Sequence, residues 1–163
     1  MAWLLDTNVF VSAKRDHYGF EFCPGFWEWL DRANAAGTVA SVEAVYDELV
    51  DYGDQLSDWA KDRRDFFLPV TADEVGAVQA VNRWAIESDY DAAAKTEFSA
   101  AADSFLLAQA LAGGHAVITH EVIRDTRKKI QIPNAAAQLG VSCHLPWHML
   151  RAERPQFVLE GAI

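Results

Sequence analysis

The sequence has only two cysteines, Cys23 and Cys143, with five prolines and nine glycines among 163 residues. Two thiols close at most one bridge, which excludes a disulfide-stapled scaffold, and so little glycine and proline excludes collagen-like or low-complexity chains. Basic residues are also scarce: 14 Lys and Arg face 24 Asp and Glu, a net charge of −10. That balance argues against a protein that coats nucleic acid nonspecifically. No apolar run approaches the roughly 18–20 residues of a membrane-spanning helix; the longest, Phe105 to Ala112, is interrupted by Gln109. A secretory leader is not expected, because Asp6 falls where its apolar stretch should be and no basic residue precedes it. The chain also lacks a Ser-His-Asp series and a glycine-rich phosphate loop, so neither a serine hydrolase nor a nucleotidase reads well. These absences leave a soluble, cytoplasmic protein with no membrane partner as the expectation.

What is present is a globular composition, with 51% hydrophobic residues, 12% aromatic residues and a mean hydropathy of −0.06. The length suits one domain over residues 1–163, near the common domain size of about 150. Charge is uneven along it. Residues 1–122 hold 8 Lys and Arg against 21 Asp and Glu, a balance of −13, while residues 123–163 hold 6 against 3, a balance of +3. An acidic body with a mildly basic final quarter is compatible with carboxylates that collect divalent metal beside a weak phosphate-binding edge.

Trp3-Leu4-Leu5 reads as a buried strand ending at Asp6, and Thr7-Asn8 after it favour a turn or cap. A helix follows from Pro24, with Phe26, Leu30 and Ala33 at helical spacing and Gly37 closing it. Thr38 to Ser41 is a second strand, and Val42, Val45 and Leu49 mark the helix after it, which carries Glu48. Leu56 to Phe98 reads as further helix, with a capping box at Thr71-Ala72-Asp73-Glu74. After Ser99 an alanine-rich helix holds Asp103 in its first turn and stops at Gly113-Gly114; Ala116 to Thr119 is the third clear strand. Asn134 to Leu139 forms a short helix, Val141 to Cys143 a strand, and Pro146 starts the last helix. Alternating strands and helices predict an α/β fold with a mainly parallel sheet covered on both faces, whose ligands sit beyond the carboxyl ends of the strands.

Asp6, Asp103 and Glu121 all fall toward that edge, and Glu48 returns to it only if its helix lies across the edge. Clustered carboxylates repel unless neutralised, and the usual neutraliser of an all-oxygen group is a hard cation such as Mg²⁺ or Mn²⁺. Two such ions ~3.5–4 Å apart would activate water and stabilise the leaving oxygen of a phosphodiester. The competing reading is that four of 24 acids are merely helix caps and surface charges.

The segment Leu4-Leu5-Asp6-Thr7-Asn8-Val9-Phe10 resembles the first motif of PIN-domain nucleases. Ser41-Val42 through Tyr46-Asp47-Glu48-Leu49 resembles the second acidic motif, Ala102-Asp103-Ser104-Phe105-Leu106-Leu107-Ala108 the third and Val117-Ile118-Thr119-His120-Glu121 the fourth. The four occur in family order over nearly the whole chain. Tyr18-Gly19-Phe20 and Cys23-Pro24-Gly25-Phe26-Trp27 look most like a PIN-like subfamily of uncharacterised bacterial proteins similar to VapC-type toxins. The resemblance implies a PIN-like three-layer α/β/α fold and a ribonuclease using Mg²⁺ or Mn²⁺, the toxin of a toxin–antitoxin pair. It implies Asp6, Glu48, Asp103 and Glu121 as catalytic metal ligands, with Asn8 and Thr119 orienting carboxylates and water. One departure is Glu121, since the fourth position is often Asp in the wider family, and the longer side chain could shift a second metal. Expected partners are an RNA substrate, an antitoxin protein and a second copy of the chain in a homodimer.

Arg124, Arg127, Lys128 and Lys129 follow Glu121 and are expected either to bind RNA phosphates or to form a solvated helix face. Trp27 and Trp29 could stack on bases, or present an apolar surface to an inhibitor, although aromatics at helical spacing more often belong to a core. Cys143, His144 and His148 suggest zinc but lack a fourth ligand, and His17, His115 and His120 have no partner readable from sequence. Two rival functions stand beside the nuclease. A HAD-like phosphatase also begins with Asp after an apolar strand but expects a second Asp where this chain has Asn8; a non-catalytic interaction module would show no heat on Mg²⁺ or Mn²⁺ addition.

Overall fold

Leu4, Leu5, Val117 and Ile118 are wholly screened from solvent, as strands covered on both faces require. In the computed structural model, which describes residues 1–159 and Gly161, these residues lie in the two central strands of a five-stranded, all-parallel sheet. The strands are β1 (Trp3–Leu5), β2 (Val39–Val42), β3 (Phe67–Leu68), β4 (Ala116–Ile118) and β5 (Cys143–His144), in the order β3-β2-β1-β4-β5. The helices are α1 (Thr7–Ser12), α2 (Pro24–Ala35), α3 (Glu43–Asp51), α4 (Gln55–Lys61), α5 (Val75–Glu87), α6 (Ala92–Ala100), α7 (Ala102–Gly113), α8 (Ile132–Leu139) and α9 (Pro146–Glu153). Sheet and helices make the expected three-layer α/β/α arrangement. Among the described residues no helix is long and apolar enough to cross a membrane.

The chain leaves β1 toward one side of the sheet and reaches β4 on the other, so the order reverses between β1 and β4. Beyond the carboxyl ends of two such strands the outgoing connections diverge and leave a crevice. The backbone there is sewn together by the Asp6 amide, which donates to the Ile118 carbonyl at 2.9 Å. Helix α1 is held against the sheet by Phe10, whose ring centroid lies 5.7–5.9 Å from those of Trp59, Phe66 and Phe67. Each buried aromatic of this kind contributes roughly 1.5–3 kcal/mol, and together they fix the direction in which Asp6, Thr7 and Asn8 leave β1.

Two expectations need correction here. The stretch from Leu56 to Phe98 is not continuous helix: α4 ends at Lys61, a single 3₁₀ turn spans Arg64–Phe66, and Phe67–Leu68 form the edge strand β3 beside β2. Pro69 explains the change, since it disfavours helical backbone at Leu68 and has no amide to continue a ladder. The chain also breaks between α5 and α6, and again at Ala101, whose extended backbone (φ −84°, ψ 170°) separates α6 from α7. The second correction concerns Arg124 to Lys129, which lie in an irregular loop over 119–131 and not on a helix face. Asn134 holds that loop open by accepting from the Arg124 amide at 3.0 Å and donating to the Arg124 carbonyl at 2.9 Å.

The predicted helix stop at Gly113-Gly114 is realised with Gly114 at φ +65°, a left-handed value that glycine adopts without a Cβ clash. Trp27 is buried: it stacks on Phe20 at 4.2 Å, meets Trp59 edge-on at 5.1 Å and donates to the Tyr18 carbonyl. Trp29 packs partly against the same core. Trp27 is therefore a core residue and is closed to base stacking or inhibitor docking, whereas Trp29 is only partly covered and Phe22 nearby is exposed.

Candidate functional site

Asp6, Glu48, Asp103 and Glu121, drawn from four separate stretches of chain, line one cavity of about 300 Å³ at the carboxyl edge of the sheet. Asp6 is 4% exposed. Its Oδ1 accepts from the Thr7 amide at 2.7 Å, capping α1, and its Oδ2 accepts from the Thr119 hydroxyl at 2.8 Å. Asn8 completes the support: its amide donates to Thr119 Oγ1 at 3.1 Å and its Oδ1 accepts from the His120 amide at 3.0 Å. Both residues expected to orient the carboxylates thus touch Asp6 or its hydrogen-bond partner.

Glu48 does return to the edge, because α3 lies across it. Its Oε2 accepts from the Thr7 hydroxyl and its Oε1 from the Ala102 amide at 3.0 Å, the first free donor of α7. Glu121 does the same for α8, with Oε2 accepting from the Ile132 amide at 2.7 Å while Oε1 faces Lys129 Nζ at 3.3 Å. The capping role weighed against the metal role is therefore real for three of the four acids. Asp103 is different: among the described residues no hydrogen bond or ion pair reaches its carboxylate.

Capping alone does not balance the charge. Burial pushes Asp6 up to about 7, and the charges of Glu121 and Glu48 add to the rise against the hydrogen bonds from Thr119 and Thr7. Burial likewise pushes Asp103 up to about 8, reinforced by Asp6, Glu121 and Glu48 and opposed by Lys129. Lys129 is itself raised: burial works against its charge, but Glu121, Asp103 and Glu97 outweigh that. One ammonium thus faces four carboxylates lining the cavity, with Glu97 of α6 as a fifth.

Among the described residues no group of three or more His, Cys, Asp and Glu side chains is arranged to hold a metal ion as it stands. What the four acids do share is one cavity, with Asp6 and Asp103 pushed up chiefly by burial and further by the neighbouring carboxylates. The donors themselves, all carboxylate oxygen with Asp103 uncommitted, fit a hard divalent ion such as Mg²⁺ or Mn²⁺.

The four basic residues do not line one recess. Lys129 lines the carboxylate cavity, Arg124 and Arg127 line a hollow of about 290 Å³, Arg124 and Lys129 share the shallow groove between them, and Lys128 lines none of these. Thr7 and Glu97 escaped the sequence reading as site residues; the signal for Thr7 was its place in Asp-Thr-Asn, whereas Glu97 had none. The zinc reading of Cys143, His144 and His148 is not supported. His144 and His148 stack at 4.0 Å with nearly parallel rings, and among the described residues they form no group of three with Cys143 that could hold a metal ion. His17 and His120 stack at 5.7 Å beside Trp147, and His115 Nδ1 accepts from the Ala2 amide.

Comparison with curated proteins and with solved structures finds no match. Residues 3–157 match the family described as a domain of unknown function, DUF4411, and with nearly its whole length inside that match the chain belongs to this family.

Proposed function

We propose that the protein is a ribonuclease of PIN-like type that hydrolyses RNA phosphodiester bonds with Mg²⁺ or Mn²⁺, and that it acts in the cytoplasm as the toxin of a toxin–antitoxin pair. The observation that carries the reading is the convergence of Asp6, Glu48, Asp103 and Glu121 on one cavity, with Asp6 and Asp103 held well above the ordinary carboxylate range. The RNA substrate and the toxin role rest on the four sequence motifs that resemble PIN-domain nucleases.

Asp6 and Asp103 are the residues that would hold a cation most directly, with Glu48 of α3 and Glu121 of the loop after β4 completing the set beside the first amides of α7 and α8. A bound divalent ion would supply activation of water and stabilisation of the leaving oxygen. The chain's own contributions are distinct. Thr119 and Asn8 fix the rotamer of Asp6; Glu48 locks the first turns of α1 and α7 in register; Lys129, beside Glu121 at the rim of the cavity, offers a charge to a substrate phosphate. Asn8 makes two hydrogen bonds within the protein and cannot serve as the second acid that a HAD-like phosphatase needs.

The test is cleavage of single-stranded RNA by purified protein with Mn²⁺, Mg²⁺ or EDTA, beside Asp103→Asn. Metal-dependent cleavage lost in the variant supports the reading. Equal cleavage in both proteins overturns the assignment of the site, and no cleavage with no Mn²⁺ binding by calorimetry overturns the reading and favours a non-catalytic interaction module.

A further inference from the structure

The loop over 119–131 leads away from the carboxylates into a second hollow that the hydrolytic reading leaves unused. Lys129, Glu121 and Asn8 line both the carboxylate cavity and a shallow groove beside it, and Arg124 lines both that groove and the hollow. The three recesses are therefore joined edge to edge. Tyr90 and Ile123 supply the apolar walls of the hollow, and Arg124 and Arg127 its positive charge.

Its walls are held in place before any ligand arrives. The Asp91 amide donates to the Arg127 carbonyl at 2.9 Å, pinning the loop to the α5–α6 connection, and Asn134 grips the Arg124 backbone on both sides. The Tyr90 ring is steadied by Trp84, edge-on at 6.3 Å. Among the described residues neither the Arg124 nor the Arg127 guanidinium forms an ion pair or a hydrogen bond, although Asp89 and Asp125 line the same hollow. Two free guanidinium groups beside an aromatic ring and an aliphatic wall are the elements that bind one nucleotide of a flexible strand. The two carboxylates discourage a lone phosphate but can accept hydrogen bonds from the amino or imino edge of a base.

The geometry points to a nucleotide subsite at Tyr90, Ile123, Arg124 and Arg127 that seats single-stranded RNA extending from the carboxylate cavity along the 119–131 loop. This rests on the nuclease reading and adds to it a path for the strand: a base lies against Tyr90 and Ile123 while Arg124 and Arg127 hold the adjoining phosphates. Lys128, which lines none of the three recesses, has no part in it.

The experiment compares wild-type protein with Tyr90→Ala, Tyr90→Phe, Arg127→Ala and Lys128→Ala, all checked by circular dichroism and melting temperature. Binding of fluorescent single-stranded RNA from two to about 12 nucleotides long is followed by anisotropy over a salt series, in an Asp103→Asn background that prevents cleavage. Steady-state cleavage is measured without that change. Tyr90→Ala is expected to weaken binding of the long oligonucleotides about tenfold, as loss of one stacked base does, and Tyr90→Phe to restore it. Arg127→Ala is expected to lower the slope of log affinity against log salt by about 0.7. Both are expected to raise KM with kcat nearly unchanged and to leave the dinucleotide unaffected; Lys128→Ala is expected to change nothing. Wild-type cleavage with no effect of Tyr90→Ala or Arg127→Ala overturns the subsite and spares the nuclease. Wild-type protein that neither cleaves nor binds RNA overturns both.

Discussion

The Thr119 hydroxyl stands between Asp6 and Asn8: it donates to Asp6 Oδ2 at 2.8 Å and accepts from Asn8 Nδ2 at 3.1 Å. The same oxygen accepts from the Glu121 amide at 3.1 Å, so one side chain at the end of β4 fixes the acid at the end of β1 and the backbone that carries a second acid. Replacement by valine keeps the shape and removes all three bonds. Thr119→Val is expected to lower Mn²⁺ affinity and RNA cleavage by roughly 10–100-fold, the usual cost of losing an outer partner of a metal ligand. Calorimetry with Mn²⁺ beside a cleavage assay checks this, and values near wild type would count against the role of Asp6.

Asp6→Asn and Asp103→Asn are expected to abolish metal-dependent cleavage while leaving the metal-free fold intact or more stable. Each removes a buried acid that costs free energy to ionise in this crowded group. Every kcal/mol of relieved repulsion raises the melting temperature by roughly 2–4 °C in a chain of this size. Thermal melts in EDTA measure the gain, and a drop of several degrees would contradict it.

The same crowding sets a pH dependence. Asp6 and Asp103 have folded-state values of about 7 and about 8 against an ordinary 3.8, so the folded protein holds protons that the unfolded chain has released. Stability from these two groups is complete below pH 3.8 and is lost as pH rises through about 7 and about 8. In EDTA the melting temperature is expected to fall across that range, and Asp6→Asn to flatten the decline. Mn²⁺ is expected to restore stability most at the alkaline end, since it binds the deprotonated acids. A melting temperature that climbs steadily with pH in EDTA would refute the assignment.

Sequence reasoning reached Asp6 because an unbroken apolar run must end where the strand leaves the core, and reached Asp103 because a helix start is marked by its neighbours. It left Glu48 open, since the return of that side chain depends on how α3 crosses the sheet, a tertiary fact with no local signature. The edge strand Phe67–Leu68 escaped because two residues carry no period. The spread of Arg124 to Lys129 was hidden for a related reason: adjacency in sequence implies a shared face only in a regular element, and this loop sends Lys129 and Arg127 into different recesses.

Lys129 and Lys128 are therefore expected to separate on mutation. Lys129→Ala leaves Glu121 without its cation and is expected to weaken RNA binding and reduce the salt slope by about 0.7, whereas Lys128→Ala is expected to do neither. Equal effects from the two would return the loop to a diffuse patch of positive charge.

The toxin role is checked in cells. Expression alone is expected to arrest growth of the bacterial host, and coexpression with the adjacent small reading frame to relieve the arrest, with Asp103→Asn harmless in either case. Normal growth alongside active purified protein would remove the toxin role and leave the nuclease.

The hydrogen bond from Thr119 to Asp6 joins residues 113 positions apart, and β1, which leads into Asp6, has both its sheet neighbours later in the chain. During synthesis, which adds about 5–20 residues per second, β1 emerges early and waits without a partner until β2 and then β4 have cleared the ribosome. Asp6 therefore stays apart from Asp103 and Glu121 until those later residues have been made. On the nuclease reading, the reactive centre is complete only once Thr119 and Glu121 have been made and have folded against Asp6.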